Sequence, residues 1–411
     1  MNGPPAFHLP LLSPVMRILF LTHHRRFKTF ARSTPLAREL ARKGHEVTLV
    51  CISEKNRLRF HTYSEDGVRY VETPDLLPGR LRSGWDALSV LRRCAFLRGK
   101  SWDLIHAFES RPATIYPALY LLRRKPVPLV MDWNDWWGRG GLIDQQRPKW
   151  YRALFGRLET YYEEHFRSRA DAMTVISRAL GRRAESLGVD PAGIFWIPGG
   201  AATDVFVPRD RLEFRARYRI RPDALVLGFS ALDVTSDADV VLGAVARVAR
   251  QRPGVLLVMT GNRPPGFDGL VAAHGVGGSV RHLGLLPYAE LPEALSTVDI
   301  FLMPLRDTVS NRARWPNKVC DYMSLGRPTI TQPIGEMKQL FAEHRIGLLS
   351  TEDPGDFATR ILELAEDPVR QAELGAEARR MAIESLAWPV LARRLEDCYA
   401  WVEKRTAEGC L

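Results

Sequence analysis

The segment Arg17-Ile-Leu-Phe-Leu-Thr22 is a short apolar run, and twenty-two residues further on His45-Glu-Val-Thr-Leu-Val-Cys51 is another. Apolar runs of this length read as strands buried on both faces, as in a parallel sheet. Between them lies a polar loop, His23 to Arg32, and then Ser33-Thr34-Pro35. A hydroxyl cap followed by proline at the first helical position predicts a helix start there. That helix carries Leu36, Ala37 and Leu40 on one face and stops at Gly44. Strand, loop, helix, glycine stop and strand make one βαβ unit, and a parallel pair needs such a crossover.

The alternation repeats along the chain. Strands are expected at 68–72, 103–108, 127–131, 172–176 and 194–197, with helices at 85–98, 150–167 and from a Ser177 cap to 187. Pro198-Gly199-Gly200 opens a turn-rich segment running to about Pro222, which reads as a linker. A second series follows, with strands at 225–229, 255–259, 280–283, 300–303 and 329–331 and helices between them. From Pro354 onward the chain reads as mostly helical. The expected organisation is a flexible extension over 1–15 and an α/β domain over 16–200. A second such domain is expected over 201–385, and a terminal helix over 386–411 packing back on the first domain. Each domain is a doubly wound parallel sheet, so ligands are expected at the carboxyl ends of the strands and in a cleft between the two sheets.

Composition excludes several classes. The 411 residues are 45% hydrophobic and 26% charged, as in ordinary globular chains. No run of about 18 apolar residues predicts a membrane span, and Leu9–Thr22, broken by Pro10, Pro14 and Arg17, does not read as a secretory signal, so a cytoplasmic protein is expected. The five cysteines are scattered without a C-x-x-C pair, which points away from a disulfide framework or a zinc site. The charge is lopsided: of a net +11, residues 1–205 hold 32 Lys+Arg and 20 Asp+Glu side chains, so the first half carries all the excess. Such a half favours an anionic partner, either phosphate or an acidic membrane surface. No nucleic-acid motif accompanies it, so no nucleic-acid partner is expected.

The stretch richest in chemistry is Asn311-Arg-Ala-Arg-Trp-Pro-Asn-Lys-Val-Cys-Asp-Tyr-Met-Ser-Leu-Gly-Arg-Pro-Thr-Ile-Thr331. It follows the strand ending at Met303, and Pro316-Asn317 reads as the start of a helix from Lys318 to Leu325. Free N–H groups at a helix start, together with Arg312, Arg314 and Lys318, suit a pyrophosphate. Asp321, one turn in, suits the vicinal hydroxyls of a ribose.

These residues resemble the glycosyltransferases of family 4, which have the GT-B fold. Their signature is a glutamate, seven residues, a second glutamate and a helix ending in Gly-x-Pro. Asp321 stands at the second acidic place, Ala313 at the first, and Gly326-Arg327-Pro328 matches the ending. Pro316-Asn-Lys318 with Asp321-Tyr322 resembles a sub-branch of the family. Ile197-Pro-Gly-Gly-Ala-Ala-Thr-Asp204-Val-Phe206-Val-Pro208 is similar to the family's interdomain segment, and Ile334-Gly335-Glu336 to its loop at the donor phosphates. The resemblance implies a retaining transfer from a nucleotide diphosphate sugar, the co-substrate, with no metal and no other cofactor. It assigns the ribose to Asp321 and places Gly335 and Glu336 at the donor. Lys318, Arg314 and Asn317 complete the expected donor set, since the Arg and Lys that the family carries after the first strand of the second domain are absent from Gly228–Asp237.

A second candidate is Met131-Asp132-Trp133-Asn134-Asp135-Trp136-Trp137-Gly138-Arg139, at another strand's carboxyl end. Indole faces with interleaved carboxylates and amides suit a sugar. The resembled family often has histidine where Asn134 stands, which makes Asn134 and Asp135 the expected residues at the transferred sugar and Asp132 and Trp136 acceptor residues. The basic loop after the first strand adds His23 and His24 as acceptor contacts. The expected role is assembly of a bacterial surface polysaccharide or glycolipid, with a lipid-linked or anionic acceptor and peripheral contact with the inner face of an anionic membrane. A soluble small-molecule acceptor is the alternative within the class. A nucleotide-binding GT-B protein without transferase activity is the alternative outside it.

Overall fold

The computed structural model describes residues 15–25, 31–77, 82–231, 235–263 and 265–409. Residues 1–14 of the expected extension, Arg26–Lys28 of the first loop and residues 232–234 of the Gly228–Asp237 stretch lie outside these. The first sheet contains β1 (Arg17–Arg25), β2 (Glu46–Ile52), β3 (His61–Glu65), β4 (Val68–Thr73), β5 (Leu104–Phe108), β6 (Leu129–Trp133), β7 (Ala172–Val175) and β8 (Ile194–Trp196). Its order is β3-β4-β2-β1-β5-β6-β7-β8. The second contains β9 (Val226–Ala231), β10 (Leu256–Gly261), β11 (Val280–His282), β12 (Ile300–Met303), β13 (Thr329–Thr331) and β14 (Gly347–Leu349). Its order is β11-β10-β9-β12-β13-β14.

Strand order reverses beside β1 in one sheet and beside β9 in the other, so each has a topological switch point, at β1/β5 and β9/β12. Ile18, Leu19, Phe20 and Leu21 are all fully buried, because helices cover both faces of β1. Pairing is parallel throughout the described strands except in the β3–β4 hairpin. There Asp66 and Gly67 both adopt positive φ, 50° and 76°, as a two-residue turn between twisted strands requires.

The helix Trp388–Ala407 buries Leu391, Leu395, Tyr399 and Val402 in one core with Ile18, Phe20 and Leu49 of the first sheet. Spacings of four, four and three keep these residues on one helical face, and burying each leucine contributes about 1.5–3 kcal/mol. The Tyr399 hydroxyl lies 2.8 Å from Nδ1 of His106 in β5, and the Ala201 amide donates to the Leu386 carbonyl at 2.8 Å, tying together the two chain segments that pass between the lobes.

Two local expectations are corrected. The first helix, Ser33–Arg42, has Arg32 rather than a hydroxyl residue at its cap position, with no side-chain cap. The turn-rich segment after Gly200 contains a helix, Arg211–Arg217, capped where Asp210 accepts from the Leu212 amide at 2.9 Å.

Candidate functional site

At the second switch point, the end of β9 meets the helix Lys318–Ser324. The Lys318 ammonium donates to the Ser230 carbonyl at 2.9 Å. The Ser230 amide donates to the Tyr322 hydroxyl at 3.1 Å, and the Tyr322 ring stacks on Phe301 of β12 at 3.8 Å. Tyr322 is therefore a buried support that fixes the helix to the sheet. Burial above all, with the neighbouring Arg314 adding to it and Asp237 opposing, lowers the Lys318 pKa to about 8. Burial also lowers Arg314, which the Asp135 carboxylate from the first lobe and Asp237 from the second both stabilise in its charged form. Its Nε is buried without a hydrogen-bond partner. Two cations of the expected donor set thus sit side by side, and one of them feels a carboxylate across the cleft.

Asp321 makes no hydrogen bond through its carboxylate among the described residues, and burial alone pushes its pKa up to about 7. Desolvation raises the pKa of the Tyr288 phenol, and the charges of Asp321 and then Asp204 raise it as well. An acid held with little water and no donor is poised to accept from ligand hydroxyls. Asn317 occupies the cap position of the helix without capping it. A methyl added at Gly199 would strike the Asn317 carboxamide and the Trp315 indole, so Asn317 packs on the segment joining the lobes.

Arg312 forms a two-pronged pair with Asp307, at 2.5 and 2.6 Å, so it is already neutralised. Gly335 has φ +56°, and a Cβ there would come 2.7 Å from the Asn311 carbonyl; only glycine allows this loop to lie against the 311–312 backbone. The Glu336 carboxylate is committed across the lobes, accepting from the Arg178 amide at 2.7 Å and from its guanidinium at 2.7 Å. Ala313 is fully buried, and its carbonyl accepts from Ser177 Oγ at 2.5 Å.

In the first lobe, the register sets Thr22, Phe108, Asp132 and Thr174 in one row across β1, β5, β6 and β7. Asp132 is 1% exposed and accepts from the Thr174 hydroxyl at 2.5 Å, while its Oδ2 has no partner. The Arg32 Nε lies 3.7 Å from the other carboxylate oxygen. Arg32 is itself buried, and its three guanidinium nitrogens make no hydrogen bond among the described residues. Burial lowers its pKa, and the charges of Asp132 and Glu109 oppose the shift. Asn134 donates its amide to Glu109 Oε1 at 2.7 Å, and its side-chain Oδ1 is buried without a partner. His23 and His24 follow one another at the end of β1 with ring centroids 4.2 Å apart.

The loop beyond Asn134 is held by one helix, Lys149–His165. Glu163 accepts from the Trp137 amide at 2.6 Å and from the Gly138 amide, and the Arg139 amide donates to Thr160 Oγ1 at 3.1 Å. The Arg183 guanidinium covers the Trp136 indole, 3.7 Å from its centre. Trp136 therefore lines a crevice of about 840 Å³ between the lobes, together with Arg178, Arg182, Arg312 and Lys338.

Sequence reasoning missed Glu109, Arg32 and Arg167. Glu109 follows β5 with φ +67°, a conformation that costs a non-glycine residue free energy. It is fixed by Arg167 Nη2 at 2.9 Å. Burial raises its pKa, while Arg167 and the Asn134 amide oppose the shift. Its signal was available: a charged residue directly after an apolar strand.

Comparison with known proteins agrees with this architecture. Residues 31–200 match a model described as a glycosyl transferase 4-like domain, and residues 223–367 one described as glycosyl transferases group 1. A D-inositol 3-phosphate glycosyltransferase of Stackebrandtia nassauensis is 29% identical over 231 residues, 53% of this chain and 51% of that protein. A GDP-mannose-dependent alpha-(1-6)-phosphatidylinositol monomannoside mannosyltransferase of Mycolicibacterium smegmatis is 24% identical over 235 residues, 56% and 62% of the two chains. The chain spans about half the length of the curated relatives it matches. Among solved structures, sucrose-phosphate synthase from Thermosynechococcus elongatus superposes with a TM-score of 0.74 at 18% identity, covering 94% of this chain and 98% of that one. Anabaena HepE in complex with UDP and glucose superposes with a TM-score of 0.65 at 14% identity, covering 94% and 99%. The two halves thus match glycosyl transferase models in order, and the two facing doubly wound sheets have the GT-B fold.

Proposed function

We propose that this chain transfers a sugar from a nucleotide diphosphate sugar to an acceptor hydroxyl. The observation that carries the reading is the pair Lys318 and Arg314, two desolvated cations at the carboxyl end of β9, with Asp321, one turn further along the Lys318 helix, making no carboxylate hydrogen bond among the described residues. A pyrophosphate supplies the negative charge that this pair lacks, and a ribose supplies donors for Asp321. UDP in the HepE complex is of the same chemical class. When the glycosidic bond to the phosphate breaks, charge develops on the leaving nucleoside diphosphate, and preorganised cations stabilise it more in a dry site than in water. Transfer proceeds with retention on one face of the sugar, so no side-chain nucleophile is assigned. Asn134 Oδ1, buried and unpartnered, faces the sugar, and Asp135 orients Arg314 from the acceptor side.

The acceptor belongs to glycolipid or surface-polysaccharide assembly, at the inner face of a membrane. Two features support this: the basic first half and the relative named for a phosphatidylinositol monomannoside acceptor. No helix among the described residues is long and apolar enough to cross a membrane, so contact is peripheral in this reading. The test begins with nucleoside diphosphates and nucleotide sugars in a thermal-shift panel. A ligand at about 100 times its dissociation constant adds about 2.7 kcal/mol to the native state. Release of nucleoside diphosphate is then followed with candidate acceptors. Stabilisation by no member of the panel refutes the donor assignment. Stabilisation without sugar release in any acceptor extract favours a binding protein over an enzyme.

A further inference from the structure

The helix Lys149–His165 is inside out. An ordinary surface helix turns its apolar stripe to the core. Here the buried side chains are Glu159, Thr160 and Glu163. Trp150 (63% exposed), Leu154 (70%), Leu158 (44%) and Tyr161 (46%) face solvent. Their spacings of four, four and three put all four on one face, in a stripe about 16 Å long at about 1.5 Å per residue. The helix cannot turn this face inward, because its polar side is occupied. Glu163 holds the amides of Trp137 and Gly138, and Thr160 holds that of Arg139. Glu159 accepts from the Tyr151 hydroxyl at 2.7 Å.

We infer that this outward face docks on a bilayer of anionic phospholipid. Three observations select that occupant. Trp150 and Tyr161 mark the two ends of the stripe, and these residues favour the headgroup level of a membrane. Lys149, Arg152 and Arg157 lie on the same helix, and Lys149 and Arg157 are exposed, so apolar burial is joined by attraction to acidic lipid. A second copy of the chain meeting the face about a two-fold axis through the middle of the stripe would set Arg157 against its own copy. The inference rests on the transferase reading only for its purpose. The same helix holds the Trp133–Arg139 loop of the first-lobe site, so a docked membrane lies beside the place where an acceptor would be held.

The test uses the full chain and sedimentation with vesicles of phosphatidylcholine alone or with a third of phosphatidylglycerol. The expected result is binding to the anionic vesicles, weakened by salt. The double variant Trp150→Ser/Leu154→Ser binds at least about tenfold more weakly, with an unchanged unfolding midpoint because both side chains are solvated. Lys149→Ser/Arg157→Ser falls toward the level seen with phosphatidylcholine alone. The inference is overturned if the wild-type chain stays in the supernatant with both vesicles, or if the Ser variant partitions equally. It is also overturned if the face holds a concentration-dependent dimer that the Ser variant dissolves. Nucleoside diphosphate affinity, measured on the same preparations, separates the two readings: intact affinity without vesicle binding sinks the docking surface alone, and vesicle binding without nucleotide affinity sinks the donor site alone.

Discussion

Replacing Asp321 by Asn should make the protein more stable and worse at holding a nucleotide. Burial without a donor moves this carboxyl from 3.8 to about 7. At about 1.4 kcal/mol for each tenfold change in proton affinity, that is about 4 kcal/mol of strain when the group is ionised in the empty protein. The sign follows from the direction of the shift. A raised carboxyl binds its proton more tightly in the folded chain, so stability falls as pH rises from about 4 to about 7 and stays low above it. Asn carries no charge and escapes this cost. Denaturant unfolding of wild type and Asp321→Asn should therefore show a gap of about 4 kcal/mol at pH 8 that shrinks by more than half at pH 5. A ribose that donates to the carboxylate offsets the same cost, so the Asn variant should lose about 1.5–3 kcal/mol of nucleotide affinity, on the order of ten- to a hundredfold. Two results would defeat the reasoning: a stability gap that does not depend on pH, or a calorimetric nucleotide affinity unchanged by the substitution.

Further outcomes follow from the neighbouring groups. Lys318, at about 8 in the empty site, loses its charge on the alkaline side, so calorimetric affinity for a nucleoside diphosphate should be greatest between about pH 7 and 8 and decline on both sides; Lys318→Met should abolish the alkaline limb and leave the acid one. Arg32 and Asp132 form a buried pair, and removing either partner should cost about 3–5 kcal/mol, whereas the double variant Arg32→Met/Asp132→Asn should cost less than the sum by at least about 1 kcal/mol in a double-mutant cycle. Glu336→Gln removes a charge that Arg178 uses across the lobes; small-angle scattering should show a more open chain with nucleotide affinity unchanged, and a tenfold loss of affinity would instead make Glu336 a donor ligand.

The alternation of apolar runs with glycine- and proline-bounded helices made both sheets legible, since a strand covered on two faces has no choice but to be apolar throughout. Two edge strands were not legible: β14, Gly347–Leu349, is only three residues long, and β3, His61–Glu65, is polar and largely solvated, with its Asp66-Gly67 turn as the available signal. The helix Pro112–Leu122 contains Pro117, which a local reading takes as a breaker, although packing in the core keeps the helix intact. At the site, Lys318 and Arg314 were legible from their place after an apolar strand. Arg32 was not, since only the fold brings it from one βα connection to the end of β6.

What the lobes do to each other narrows the chemistry further. The helix that begins at Arg178 has the free amides and the dipole to hold an anion, but two of those amides are already engaged. The Arg178 amide donates to Glu336 and the Leu180 amide to Ser177 Oγ, whose own proton goes to the Ala313 carbonyl. That start of a helix is a clasp between lobes. Ala313, at the place of the family's first acid, is sealed inside the clasp, and a carboxylate there would be buried with its backbone carbonyl already engaged. In the proposed transfer, recognition of the sugar falls to groups with unused capacity on the other side of the cleft. Two such groups at the carboxyl end of β6 are the Asn134 amide oxygen and the Asp132 Oδ2, both buried and both without a donor among the described residues. In this proposal acceptors on the first lobe take the role that the resembled family gives to its first acid, and closure of the lobes is the step that brings sugar and acceptors together.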